Sequence, residues 1–587
     1  GGEELESGLD RLVKRELLLR DDDPRSPERG QYRFLQAVVR EVAYESLAKK
    51  DRRAKHLAVA RHMESLGDDE LAGVLASHYV EAYRATSAGP EADALGAQAR
   101  IALRGAAERA AALHSHASAV HYLEEAVTVT TDPAEQAALY ERAAESSTSL
   151  SSNDAVAHAT QAIDLYRAAG DADGVLRATV LFARSGLLLG LGSRATSALE
   201  NVLAVTPPDA EGWAAAMGEL ARAYMLTARS EEAVTTADQA LAAIGGRRLP
   251  RLTADILITR GTALQSRPDE AVAILRGAVA LADRSGHIPT MIRGRNNLLT
   301  VLSGDITVDE LDALCRETAE LARRGGDARF LAQMLLSIAD TARDAGNWAE
   351  CDAVLAELGA MDLDTFRMTW YLLSLAARQA FCSDLAGAEA NLALADTVST
   401  GVDTSAYGTK RAFIALVHIG MGRLDEAMEI SIAAAAGPNQ ESSVPLIAIS
   451  AAGAADPARA ADLQADLDDA PSTRLNQVAR RQVAALVAVS EQRWDDARAA
   501  FRAALEEFEA LGQVLYGSMA ALQFEAYLGA RFDDARQAGM AAATTLAEGD
   551  GTGFVERYRA AFPAMSAPPV SVVPAKARVP VDAEQPA

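Results

Sequence analysis

Residues 478–511 read VARRQVAALVAVSEQRWDDARAAFRAALEEFEAL, and their spacing decides the fold class. Val483, Leu486 and Val487 stand at helical intervals before a short turn, Glu491-Gln492-Arg493. Ala497, Phe501, Ala504, Leu505 and Phe508 resume the interval after it. Apolar residues at i, i+3, i+4 and i+7 share one helical face. The stretch is therefore a pair of amphipathic helices. Ala497 and Ala504 have too little bulk to hold the helices apart, and Phe501 fills the gap between them.

The phrase recurs. An acidic residue followed by Ala opens a second helix at Glu232-Ala233, Glu270-Ala271, Glu426-Ala427, Asp496-Ala497 and Asp534-Ala535. Equivalent positions are 155, 195, 233, 271, 311, 351, 388, 427, 460, 497 and 535, with a mean step of 38, and an earlier copy sits at Ala119. Leu311 and Cys351 replace Ala in two copies. A period of this length signals a stacked helical repeat. Ala233, Ala271, Ala427, Ala497, Phe501, Ala504 and Ala535 are expected at the packing contacts of their repeats. Acid pairs such as Asp495-Asp496 and Asp533-Asp534 fall before the second helix, and they read as capping groups that favour a helix N-terminus.

Composition agrees with an all-α chain. Of 587 residues 49% are apolar but only 5% aromatic, so Ala and Leu supply most of the core. Residues 1–66 carry 14 basic and 13 acidic groups, whereas the rest carry 43 and 69. A remainder this acidic argues against nucleic acid as a partner, since phosphate contacts need a basic face. Glu41, Glu45 and Asp51 also interrupt the basic stretch between Arg40 and Arg61. Cys315, Cys351 and Cys382 form no disulfide framework, which suits a reducing cytoplasm. No apolar run reaches the ~18 residues of a membrane span. The chain opens Gly1-Gly2 without Met and reads as a fragment.

The module at 1–66 is different. Leu9, Leu12 and Val13 mark a helix, and a polar loop at 21–30 separates Leu17-Leu18-Leu19 from Tyr32-Arg33-Phe34, which reads as a hairpin. Two helices follow, at about 35–49 and 52–66. Connecting helices are expected over 67–112, about 12 helix pairs over 113–560, and a disordered Pro-rich tail over 561–587.

Two resemblances emerge from these residues. Trp494, Ala497, Phe501 and Ala504 match the second-helix pattern of the tetratricopeptide repeat, although the period is 38 rather than 34. The run from Tyr32 to Leu47, with Phe34, Arg40, Glu41, Tyr44 and Leu47, then Arg53, His56 and Leu75-Ala76-Ser77-His78-Tyr79, resembles the winged-helix module that closes the nucleotide-binding core of STAND-type AAA ATPases. Where that family often has His, this chain has Gln36. Similar segments occur in bacterial proteins that join a class III nucleotide cyclase, or a DNA-binding activator domain, to an ATPase and a helical tail. The resemblance implies a tetratricopeptide-like α-solenoid superhelix preceded by a small winged-helix module. It also implies an upstream ATPase in the parent chain.

The enzymatic chemistry is not in these residues. A P-loop needs Gly-Lys followed by Ser or Thr to cradle phosphate. The dipeptide Gly-Lys does not occur in the sequence. No catalytic constellation and no cofactor site stand out, and His114, His116 and His121 read as solvated or packed histidines rather than metal ligands. The expectation is a regulatory module that binds a protein, a peptide or a small inducer; the alternative is a stand-alone assembly scaffold. One ligand surface is suggested. On a helix over 290–302, Arg293, Asn296, Asn297 and Thr300 share a polar arc opposite Leu298, Leu299, Val301 and Leu302. A forked guanidinium and adaptable amides suit peptide or carboxylate ligands.

Overall fold

The computed structural model describes residues 2–20, 32–149, 153–264, 267–399, 407–435, 449, 456–463 and 472–562. Its contacts divide the chain into two compact units, Gly1–Arg248 and Leu249–Ala587. The division falls within the repeats rather than at residue 66 or 112.

The first unit opens with α1 (Gly2–Lys14), β1 (Leu18–Arg20) and β2 (Tyr32–Phe34). The strands form an antiparallel hairpin in which Leu18 faces Phe34 and Arg20 faces Tyr32. The polar loop read at 21–30 lies outside the described residues. Then come α2 (Ala37–Glu45), α3 (Lys49–Leu66) and α4 (Ala72–Arg84). Four helix pairs complete this unit: α5 (Pro90–Ala112) with α6 (His116–Thr128), α7 (Pro133–Ser149) with α8 (Asp154–Ala169), α9 (Ala172–Leu188) with α10 (Gly192–Val205), and α11 (Trp213–Leu226) with α12 (Ser230–Ile244).

The second unit holds seven more pairs among the described residues: α13 (Pro250–Ala263) with α14 (Pro268–Ser285), α15 (Ile288–Leu302) with α16 (Val308–Gly325), α17 (Ala328–Asp344) with α18 (Trp348–Gly359), α19 (Thr365–Phe381) with α20 (Leu385–Val398), α21 (Tyr407–Met421) with α22 (Leu424–Ala435), α23 (Arg474–Ser490) with α24 (Trp494–Leu511), and α25 (Val514–Leu528) with α26 (Asp533–Glu548). The helix α27 (Thr552–Ala560) follows. The repeat copy centred on Ala460 is described only as a 3₁₀ helix, Pro457–Leu463. Phe562 still packs against Tyr527 and Tyr558. Residues 563–587, expected to be a Pro-rich tail, lie outside the described residues.

The repeat register explains the pairs. Ala119, Ala195, Ala233, Ala271, Cys351, Ala388, Ala427 and Ala497 are each the fourth residue of a second helix, and each is buried. Ala155 and Ala535 sit within one turn of that place and are buried too. Phe501 and Ala504 are also buried, one and two turns farther along α24. A residue without side-chain bulk at the crossing lets two helix backbones close, and larger apolar groups fill the space beyond. Among the described residues only Leu311, the bulkier substitute, is left partly buried at this position. The acid pairs act differently from the expected caps. Asp495 and Asp496 lie in the first turn of α24, but its N-cap is Arg493, which makes no side-chain cap bond. Asp496 instead accepts from Arg493 at 2.6 Å, and Asp534 accepts from Arg498 of the preceding pair at 3.0 Å. Side-chain caps come from other residues: Thr307 and Glu310 form a reciprocal capping box, and Asp327, Asp364 and Asp384 accept from backbone N–H groups.

Within each unit, first helices of adjacent pairs touch side by side: α7 with α9 and α9 with α11, then α13 with α15, α17 with α19 and α19 with α21. Among the described residues, adjacent second helices make no comparable contact. First helices are thus the elements in side-by-side contact along each of these runs. This is the tetratricopeptide-like α-solenoid arrangement.

The second unit adds contacts that a nearest-neighbour stack does not have. Its later helices dock on the turns of its earlier pairs. Leu475 N–H donates to Gly304 O at 2.9 Å, and Arg474 N–H to Asp305 Oδ1 at 2.9 Å. Arg378 donates to Gly549 O at 3.4 Å, while Arg557 donates to Ala380 O at 2.9 Å and Gly420 O at 2.8 Å. A Cβ at Gly549 would collide with the Trp348 ring, so only glycine permits this approach. Scarce aromatics concentrate here. Trp348 lies 6.0 Å from Phe381, Phe381 4.6 Å from Phe554, and Phe554 5.4 Å from Tyr558, in one chain of rings across the seam.

Candidate functional site

The arc suggested by the sequence lies on α15, a first helix, as its register requires. Leu298, Leu299 and Leu302 are buried, whereas Arg293, Asn296 and Asn297 are half-buried and Thr300 is exposed. Much of the arc is already engaged. Arg293 donates to Asp255 Oδ1 at 3.2 Å and to Thr259 Oγ1, both on α13. Asn297 Nδ2 donates to Thr262 Oγ1 at 2.8 Å, also on α13. Thr290 Oγ1 donates to Asp255 at 3.1 Å. The expectation that this arc faces only ligand or solvent is thus corrected: its upper part bonds the neighbouring first helix. Asn296 and Thr300 form the part turned outward, with Thr300 donating to its own helix at Asn296 O, 3.0 Å away. Asp255 and Arg293 are 38 residues apart, one repeat period, and that equality was the signal available to sequence reasoning.

On α17, Arg343 is buried between two carboxylates. It donates to Asp340 at 2.7 Å and to Asp344 at 2.8 Å, while Ser374 of α19 donates to Asp340 at 3.2 Å. Burial pushes the Asp344 carboxyl up to about 6, against the pull of Arg343, and raises Asp340 as well. The Tyr516 hydroxyl of α25, also held neutral by burial, faces the same group. Arg378 of α19 makes a two-pronged bond to Asp352 at 2.7 and 2.8 Å and lies over the Trp348 ring. On the other flank of α15, buried Arg295 bridges Asp283 at 2.7 Å and Glu317 at 2.6 Å. Arg378 and Arg295 tie helices together, whereas Arg343 bonds carboxylates of its own helix, and all three are engaged rather than open to a ligand. None was singled out from sequence, because Arg on a helix face gives no hint of its partners.

In the first unit the motif residues separate into two groups. Phe34, Arg40 and Glu41 are exposed, and Leu47 is half-buried. Tyr44 and His56 meet, with the Tyr44 hydroxyl 3.0 Å from His56 Nε2. His114 and His116 have ring centroids 6.1 Å apart, and no group of three metal-ligating side chains occurs among the described residues. Cys315 and Cys351 are buried, and burial holds both thiols up at about 12, so neither is a ready nucleophile. No helix among the described residues is long and apolar enough to cross a membrane.

No protein-family model matches this chain, and no curated protein matches it. Solved structures do show likeness. The apo quorum sensor NprR from B. thuringiensis is 14% identical over 61% of this chain and 98% of its own, with a TM-score of 0.37. Aspartyl phosphate phosphatase F from Bacillus subtilis is 13% identical over 61% of this chain and 93% of its own, with a TM-score of 0.29. The APC/C Cut9–Hcn1 hetero-tetramer is 12% identical over 86% of this chain and 98% of the matched chain, with a TM-score of 0.41.

Proposed function

We propose that this chain is a non-catalytic interaction module whose inner face, built from first helices, receives a protein or peptide. The observation that carries the reading is the outward strip of α15. Asn296 and Thr300 present an amide and a hydroxyl beside a ladder already fixed by Arg293, Asn297 and their partners on α13. Groups held in place by such bonds lose little freedom when they bind, so a ligand is met by a prearranged surface. A solenoid spreads these contacts over successive repeats.

The reading extends to regulation. The resemblance of residues 32–47 to a STAND-type module supports a place beside an ATPase and an effector domain, with the array sensing a partner or a small inducer. A stand-alone scaffold remains the competing reading. Nucleotide sequence upstream of Gly1 separates the two: a P-loop reading frame joined to this one supports the regulator, and its absence the scaffold.

The binding face has its own test. A photo-crosslinking amino acid placed at Asn296 or Thr300 should trap a discrete partner in cells. The same group at Met540, exposed on second helix α26, should not. Equal labelling from all three positions would refute the inner face as the binding surface.

A further inference from the structure

We propose that Tyr44, His56 and His78 form a proton-operated clasp that releases α2 and its hairpin from α3 and α4 on acidification. The helix α2 buries no residue, and Val38 and Val42 are 68% and 65% exposed. With so little apolar anchorage, its position depends on polar ties. The main tie runs through Tyr44. Its hydroxyl donates to Glu81 Oε2 of α4 at 3.2 Å and lies 3.0 Å from His56 Nε2 of α3. His56 Nδ1 in turn lies 2.8 Å from His78 Nδ1 of α4.

These bonds assign the protons. Because the Tyr44 proton points to the carboxylate, the phenol oxygen must accept from His56 Nε2–H. A neutral imidazole carries one N–H, so His56 Nδ1 is bare and accepts from His78 Nδ1–H. The result is a directed chain from His78 to Glu81 in which both histidines are neutral. One added proton fits on His78 Nε2 and leaves every bond intact. A second must land on His56 Nδ1, the only acceptor in the His–His contact, and would set two N–H groups against each other.

The surroundings favour the neutral pair. Burial lowers the proton affinity of both rings, opposed at His56 by Glu81 and reinforced at His78 by His56. The other charged groups around the chain are already paired. Arg52 of α3 lies over the Tyr44 ring and bonds Glu45 of α2 at 3.0 Å. Arg53 of α3 pairs with Glu91 of α5, and Arg84 of α4 with Glu81 and with Glu125 of α6. Since the docked form binds protons less readily than a free histidine, docking weakens as pH falls below the ordinary histidine range. The helix α3 has separate anchors: Ala60 is fully buried against α4, and Tyr79 donates to Glu64 at 2.7 Å. Acidification should therefore free α2 while α3 stays.

Hydrogen exchange on the full chain, corrected for the intrinsic pH dependence of exchange, tests this. Between pH 7.5 and 5.0, protection of residues 37–45 should fall about tenfold or more, since each unmatched proton contributes up to a factor of ten per pH unit. Protection of residues 57–66 should hold. Tyr44→Phe keeps the ring but cuts the relay, so at pH 7.5 it should already show the low protection of the native chain at pH 5.0. Three results would overturn the clasp: pH-independent protection of α2, loss in α3 in step with α2, or native protection of α2 in Tyr44→Phe.

Discussion

Truncating Phe554 to Ala should loosen helices far from it in sequence. The ring is fully buried in α27 and meets Phe381 of α19 edge to face, with centroids 4.6 Å apart. Removing a buried Phe costs about 3–5 kcal/mol through lost transfer energy and the cavity left behind. The ring–ring contact accounts for about 0.5–1.5 kcal/mol of coupling beyond burial. The seam also carries the bonds from Arg557 to Ala380 O and Gly420 O, which link groups 177 and 137 residues apart. If the seam joins these helices into one cooperative body, the damage must cross it. Hydrogen exchange of Phe554→Ala should show lost protection in α27 and in residues 348–381 together. A double-mutant cycle with Phe381→Leu and Phe554→Leu, read by urea unfolding and tryptophan fluorescence, should give that coupling energy. Trp348, Trp370 and Trp494 all report on the second unit. Loss confined to residues 514–562, with coupling indistinguishable from zero, would refute the seam and leave a stack in which each repeat feels only its neighbours.

Other consequences are simpler to check. Asp344→Asn should flatten the pH dependence of the second unit's stability between pH 5 and pH 7: the native carboxyl titrates near 6, above its unfolded value, so the cost of its charge is present at neutral pH and is relieved as pH falls through that value. Urea midpoints at the two pH values measure the difference. Ala497→Arg forces a long cation into a fully buried crossing; overpacking of about 1–3 kcal/mol plus an unpaired charge should lower the urea midpoint and strip protection from α23 to α26. Without a Gly-Lys phosphate cradle the chain should not bind Mg-ATP, and saturable micromolar binding in calorimetry would contradict that.

Much of this architecture is written in local spacing. A small residue every 38 positions places the helix crossings, because a crossing is made by residues adjacent on one pair and its steric demand is the same in every repeat. The same local logic put Leu298, Leu299 and Leu302 inward and Thr300 outward on α15. Partners are another matter. Helical angles place Arg293 on a polar arc of its own helix and say nothing of Asp255 and Thr259 on the next. Tyr44, His56 and His78 were visible as members of a motif, yet their hydrogen-bond chain exists only where α2, α3 and α4 converge. The seam is the extreme case. Whether Phe554 reaches Phe381, or Gly549 reaches Trp348, depends on small rotations between successive helix pairs. These accumulate over several repeats, and no local period encodes their sum.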